Sequence, residues 1–213
     1  MFIKLLYREM ALIWSDRSHF LFHMMTITLA CVICIMAMGD YPPLLKQAGP
    51  GMTWCVMVLV TLLQAPTLFY VDYAAGFVDD VLLSPLPLVV YLMVKALGAW
   101  LRYGMGFIIV VPLLLMLFHV PLGDMVDFWV KATIASIQLA FIALFIATLN
   151  PSTPTPRLFG FFLGLPLYLP TLIAITLPLA PLMTWTLLGV STLLSIPLCL
   201  IMGEKALLTQ ITE

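Results

Sequence analysis

Charged residues are scarce in this chain. They make up 9% of its 213 residues, whereas hydrophobic residues make up 63%. A soluble globular domain carries roughly 25% charged and about 45–50% apolar residues, so nine basic and ten acidic side chains cannot cover a soluble protein of this size. A net charge of −1 also excludes a basic surface for nucleic acid. The composition excludes a soluble enzyme and indicates a single transmembrane domain over residues 1–213.

Stretches without charge predict where the chain crosses the membrane, because a membrane helix needs roughly 20 apolar residues. One such stretch, residues 158–203, is too long for a single helix. Pro178 and Pro181 near its middle predict a turn between two crossings. The sequence therefore predicts an all-α membrane protein with six spans, at residues 20–38, 47–71, 88–118, 132–149, 158–178 and 182–203. The third span includes charged residues, because it is taken from residue 88, directly after Pro87, and not from the start of its charge-free run 103–123.

Basic residues are divided unequally between the two sides that six spans create. If the N-terminus is inside, only Lys46 and Lys131 lie outside, in predicted outer loops 40–49 and 123–131. The positive-inside rule then places both termini in the cytoplasm. The basic residues on the inner side are Lys4, Arg8, Arg17, Lys95, Arg102, Arg157 and Lys205.

The N-terminal segment is interpreted as a helix in the membrane interface. It does not resemble a cleaved signal peptide, because it is rich in charge and the apolar run after it exceeds the usual ~7–15-residue core of such a peptide. Phe2 and Leu6 share one helical face, whereas Lys4 and Arg8 lie on another. We expect an amphipathic helix over residues 1–17 with its basic face outward. A frayed tail is the alternative.

The segment after the second span is predicted to form a short cytoplasmic helix over residues 72–84. Tyr73, Phe77 and Val81 recur at four-residue spacing, and polar residues occupy the rest of the wheel. Such a helix could receive force from a soluble partner, or it could simply join two spans. The residues assigned to coupling with a partner ATPase are Asp72, Gly76, Asp79, Asp80, Ser84, Pro85 and Pro87, of which the prolines end the helix.

Two cations lie within the third predicted span. Lys95 and Arg102 are seven residues apart and should share one helical face. Such side chains can extend to the interface or pair with acidic groups. An interfacial position is favoured over a role in a substrate path.

Few residues could bind a metal. His19 and His23 share a helical face but have no third ligand nearby in the sequence, and His119 stands alone near the outer end of the third span. Cys31 and Cys34 have redox-motif spacing, yet they lie deep in a charge-free span. We interpret them as buried apolar residues and predict no metal or cofactor site.

Several of these motifs together resemble one family. They are Asp72, Gly76, Val78-Asp79, the Leu83-Ser-Pro-Leu-Pro-Leu88 turn, Lys95 and Trp100, with Pro112, Pro166 and Pro170 further along. On these residues the chain resembles the haem exporter protein B family (CcmB), the membrane permease subunit of the cytochrome c maturation ABC complex. It departs from that family at Asp79-Asp80, where relatives usually have Glu beside a non-acidic residue, and in the 150–157 loop.

The resemblance implies an ABC-2-like permease, homodimeric, in the bacterial inner membrane (or the mitochondrial one if organelle-encoded). Its implied partners are a cytoplasmic ATP-binding subunit (A), a haem-handling C subunit and a small D subunit. Haem would be a substrate for export, or ATP would drive release of a haem-loaded periplasmic chaperone. The sequence has no Gly-x-x-x-x-Gly-Lys-Ser/Thr loop, so we expect a non-catalytic subunit whose partner hydrolyses ATP.

Two other function classes remain open. A membrane anchor or haem-b subunit of a respiratory complex would need histidine pairs in facing spans, and only His23 lies within a predicted span. An intramembrane enzyme would need paired acids or a Ser-His pair within the bilayer. Because the acids are predicted at loops and helix ends, that class is the least favoured.

Overall fold

The computed structural model describes residues 2–15, 17–39, 41–149, 158–176 and 180–211, and within these ranges the helices are joined by short turns. The helices are α1 Phe2–Ser15, α2 Arg17–Met38, α3 Pro42–Gln64, α4 Thr67–Ala74, α5 Phe77–Leu83, α6 Leu88–Ala99, α7 Met105–Leu117, α8 Leu122–Thr148, α9 Leu158–Thr176 and α10 Pro181–Ile211. A π-helical turn, Trp100–Gly104, joins α6 to α7.

Several of these helices are long and apolar enough to cross a membrane. They are Phe20–Met38, Pro42–Ala74, Leu88–Leu117, Leu122–Thr148 and Leu182–Thr209, and Phe162–Thr176 is a shorter apolar helix. With six apolar helical stretches and no strand in the described ranges, the chain is an all-α, multi-pass membrane protein. This confirms the predicted fold class.

Helix α8 lies at the centre of the bundle. It packs against α3, α6, α7, α9 and α10, and its second half is almost wholly buried. Helix α2 lies at the edge and contacts mainly α3 and α7. A helix that is apolar on every side is expected in the core or against lipid, and these two helices show both cases.

Three predicted spans differ from the helices at their ends. The helix of the fourth predicted span, α8, begins at Leu122 and not at residue 132. Charged residues do not interrupt it, because Lys131 pairs with Asp127 one turn away. The second begins at Pro42 instead of residue 47. The last runs on to Ile211. In each case the helix continues past the apolar stretch into polar sequence.

The third crossing is one long helix with an insertion. Its π-helical turn is held by Trp100, whose indole Nε1 donates to Ser136 Oγ of α8 at 2.9 Å. A π turn accommodates an extra residue and changes the register of the helix, so the prediction that Lys95 and Arg102 share a face does not follow here. Lys95 is buried, whereas Arg102 is half-buried. Pro178 and the loop 150–157 lie outside the described residues.

Candidate functional site

The predicted helix over residues 72–84 is two helices. Helix α4 ends at Ala74 and α5 begins at Phe77, with Gly76 between them at φ 69°. That left-handed backbone conformation is costly for residues with a side chain and readily adopted by glycine. The prediction of a single helix is therefore wrong, since the spacing of apolar residues continued across a turn that it could not reveal.

The reason for glycine at position 76 also differs from the expected one. A glycine inside a helix suggested that another group approaches it closely. In the structure, a Cβ on Gly76 would meet nothing within 4 Å. Its backbone conformation, and not a neighbouring group, explains the glycine.

Helix α5 presents two acids to its surroundings. Asp79 and Asp80 lie in its first turn and are exposed, where negative charge suits the helix dipole. Val78 and Val81 are buried and fix the other face to the bundle. Leu83, near its end, is 88% exposed. The helix thus offers an acidic and apolar surface.

A short turn stabilised by Ser84 connects α5 to α6. Ser84 Oγ donates to the Val81 carbonyl at 2.7 Å and accepts from the Leu86 amide at 3.3 Å. Pro85 lies in this turn, and Pro87 directly precedes α6. These contacts end one helix and start the next.

Asp72 is not on a surface. Its side chain is fully buried, and it receives hydrogen bonds from Arg8 Nη2 at 2.8 Å and from Tyr91 OH at 2.7 Å. Lys95 Nζ lies 2.7 Å from Asp72 Oδ2 and 3.0 Å from Glu9 Oε1. Because Asp72 is buried, any part that it takes in coupling to an ATPase is indirect, and that coupling role stays a prediction. These five residues, Arg8, Glu9, Asp72, Tyr91 and Lys95, are called the ion cluster below.

The ion cluster joins three helices that are distant in sequence. Arg8 and Glu9 belong to α1, Asp72 to α4, and Tyr91 and Lys95 to α6. Two cations face two carboxylates, so the buried charge is balanced. Removing one member of such a cluster costs roughly 3–5 kcal/mol, because it leaves the others buried without compensation. The three helices are therefore held to one another at this point.

From the sequence, the basic face of α1 is expected to point outward, but in the structure part of that face points inward. Leu5 and Glu9 are buried against α6, and Gly98 allows the close approach, since a Cβ there would lie 3.2 Å from Glu9 Oε2. Arg8 bends inward to Asp72, and its guanidinium lies 3.6 Å from the centre of the Phe77 ring. Contacts with distant segments of the chain thus determine the orientation of Arg8, which the helical wheel alone predicted wrongly.

Glu9 and Tyr91 are the functional candidates that sequence reasoning missed. The acids were expected at loops and helix ends, yet Glu9 lies within α1 and is 3% exposed. One signal was present: Lys95 lies in an apolar run and needs a counter-charge. Of the two alternatives given for such a cation, Lys95 adopts pairing with acidic groups, whose identity the sequence did not indicate.

A groove separates α1 from α5 next to the ion cluster. Its volume is about 330 Å³, and Lys4, Leu5 and Arg8 line one wall. Phe77 and Asp80 are on the other wall. The groove combines apolar floor with charges of both signs, so it could receive part of another protein.

Histidine and cysteine form no metal centre in the described part of the chain, where no group of three or more His, Cys, Asp or Glu could hold an ion. His23 Nδ1 lies 3.0 Å from Gln64 Oε1 in the interior, and the side chain of His19 is outside the description. Cys31 and Cys34 are free thiols.

Comparison with known proteins places this arrangement in a family. A family described as CcmB protein matches residues 1–209. Heme exporter protein B of Pseudomonas aeruginosa is 26% identical over 172 residues, covering 81% of this chain and 77% of the relative. The Rhodobacter capsulatus protein of that name is 28% identical over 135 residues, 63% of this chain and 62% of the relative. That of Paracoccus denitrificans is 29% identical over 147 residues, 68% and 66%. The aligned part of the chain thus spans less than two thirds of the length of two of these relatives. The family match, however, extends over nearly the whole of this chain. The chain therefore belongs to the CcmB family.

Proposed function

We propose that this chain is the membrane subunit of an ABC-type complex that handles haem during cytochrome c biogenesis. Its relatives carry the name Heme exporter protein B, which supports haem as the substrate. The observation that carries the proposal is the ion cluster, which ties the segment bearing α5 to both α1 and the third crossing. A transport subunit driven from outside the membrane needs such a connection.

The proposed mechanism transmits force from α5 into the bundle. An ATP-binding partner on the cytoplasmic side would displace α5, which follows α4 after the short turn at Gly76. Asp72 connects α4 to α6 through Lys95 and to α1 through Arg8. Because separating these buried charges is costly, the three helices would move together and shift the third crossing.

The contact with the partner is assigned to the exposed surface around α5. Asp79 and Asp80 would pair with basic side chains of the ATP-binding subunit, and the groove between α1 and α5 would receive an adjoining segment. Asp72 acts inside the bundle as a positioning residue. Ser84, Pro85 and Pro87 hold the angle between α5 and α6.

The remaining parts of the complex are proposed by analogy with the family. The sequence has no Gly-x-x-x-x-Gly-Lys-Ser/Thr loop, so ATP hydrolysis belongs to the partner subunit. A homodimer with C and D subunits in the bacterial inner membrane is part of the same proposal. Whether haem is exported or ATP drives release of a haem-loaded chaperone, the same coupling is required.

Charge reversal tests the coupling surface. We expect the Asp79→Lys/Asp80→Lys variant to lose co-purification with the ATP-binding subunit and maturation of a reporter cytochrome, because attraction becomes repulsion across the contact. The matched control is Asp124→Lys/Asp127→Lys, which makes the same charge change on exposed residues at the far end of the bundle. Retention of the partner and of maturation by the first variant would reduce α5 to a connector.

A further inference from the structure

A second cavity lies at the end of the bundle opposite the ion cluster. Here α2 ends, α3 begins and α7 ends, and between them is a cavity of about 400 Å³. Its walls are almost entirely apolar, and its one titratable side chain is an imidazole. The lining residues are Ile35, Met36, Gly39, Leu45, Leu117 and His119.

The backbone of His119 is fixed by the end of α7. His119 has φ 58°, its amide donates to the Met116 carbonyl at 3.0 Å, and the Val120 amide donates to the Leu115 carbonyl at 3.0 Å. This pair of bonds is a helix C-cap that needs one left-handed residue. The backbone of His119 therefore forms part of the helix cap, while its side chain is exposed at the cavity. Among the described residues, none forms a hydrogen bond with its imidazole.

The chemistry of this cavity suits an iron porphyrin. Imidazole nitrogen is a common protein ligand of haem iron, and a thioether such as that of Met36 can also ligate it. Apolar walls suit the faces of the macrocycle. Lys46 directly follows the lining residue Leu45 in the sequence and is exposed, so a cation that can pair with a propionate is available one residue from the cavity wall. A bare metal ion would find few ligands here, and a lipid chain would make no use of the imidazole.

We propose that this cavity is a haem contact site, with one face of the porphyrin on the apolar walls and His119 as an axial ligand of the iron. Binding replaces a water on ferric iron with an imidazole nitrogen and changes no oxidation state. This inference rests on haem being the substrate under the proposed function. It places haem contact at the end of the bundle remote from α5.

Haem titration of the full chain in lipid nanodiscs tests the ligand. Ferric haem should shift its Soret band on binding, and His119→Asn should abolish the shift and raise the dissociation constant about tenfold. Asparagine accepts the left-handed backbone, so this variant keeps the helix cap. Metal-free protoporphyrin should bind both proteins equally, because it lacks the iron. An unchanged Soret shift in His119→Asn would overturn the assignment.

A second pair of variants tests the cavity wall. Leu117→Ala removes a lining side chain and should weaken binding of both haem and metal-free protoporphyrin about tenfold. Leu113→Ala, one turn earlier on α7 and 57% exposed outside the lining, should bind as the unaltered chain does. Equal affinities in the two variants would show that haem binds elsewhere. Partner co-purification and ATPase activity of the complex should persist in all three variants, which separates failure of this site from failure of the proposed function.

Discussion

At the scale of single residues, the most informative feature is a fully buried aspartate that the sequence placed on a surface. Asp72 carries one of the motifs that identify the family, yet it contacts Arg8, Tyr91 and Lys95 inside the protein. Its oxygens are engaged by these three partners, which is the basis for proposing that it positions helices. A positioning role predicts a loss of stability on substitution, whereas a surface contact does not.

Neutralising Asp72 should therefore destabilise the chain strongly. We expect Asp72→Asn to lower the free energy of unfolding by roughly 3–5 kcal/mol, since Arg8 and Lys95 would be left with excess positive charge in the interior. Asp127→Asn is the matched control, because it breaks an exposed pair with Lys131 and should cost about 0–1 kcal/mol. Unfolding of the detergent-solubilised protein measures both. Similar losses in the two variants would contradict the account of the ion cluster.

At the scale of elements, the long helices could be predicted and the short ones could not. The crossing that begins at Leu88 was predicted from an apolar run together with the prolines directly before it, because roughly 20 apolar residues are sufficient for a membrane helix and proline ends the preceding one. The break at Gly76 was missed because a left-handed residue leaves the apolar spacing around it unchanged. The π turn was also missed; its first residue, Trp100, donates a tertiary hydrogen bond to Ser136, and no local pattern encodes such a contact.

The same limit explains what was missed at the site. The basic and acidic members of the ion cluster are far apart in sequence: Arg8 and Asp72 are separated by 64 positions, and Glu9 and Lys95 by 86. A helical wheel treats each helix alone, so it assigned Arg8 to an outward face. The exposure of the two acids of α5 was predicted correctly, because the pattern of polar and apolar residues within this short helix determines which side chains are exposed.

The turn between α4 and α5 gives a prediction at this scale. Gly76→Ala should destabilise the chain by about 1–2 kcal/mol, because alanine is strained at φ 69° although space is free around it. Gly123→Ala is the control, since its Cβ also meets nothing within 4 Å but its backbone lies in a regular helix. There alanine should be neutral or stabilising by up to about 1 kcal/mol. Equal effects in thermal unfolding would show that the left-handed turn is unimportant.

At the scale of the whole molecule, the two candidate sites lie at opposite ends of one crossing. Helix α3 begins beside the cavity that contains His119 and ends at Gln64, just before α4 leads to the ion cluster. Its 23 residues extend about 35 Å at about 1.5 Å per residue, which exceeds the roughly 30 Å hydrocarbon core. A force applied at α5 and a haem contact at His119 would thus act on different sides of the membrane.

This separation predicts the result of topology labelling. Single cysteines replacing Lys46 and Asp80, both exposed, should react with a membrane-impermeant thiol reagent from opposite sides, in a background without the four native cysteines. The positive-inside rule assigns position 80 to the cytoplasm and position 46 to the outside. In intact cells the reagent should label the cysteine at position 46, whereas it should label the cysteine at position 80 only after permeabilisation. A substitution at Arg17, which is exposed at the start of α2 and predicted to be inside, should behave like position 80. Labelling of positions 46 and 80 from the same side would place both sites on one face and remove the physical basis for transmitting force between them.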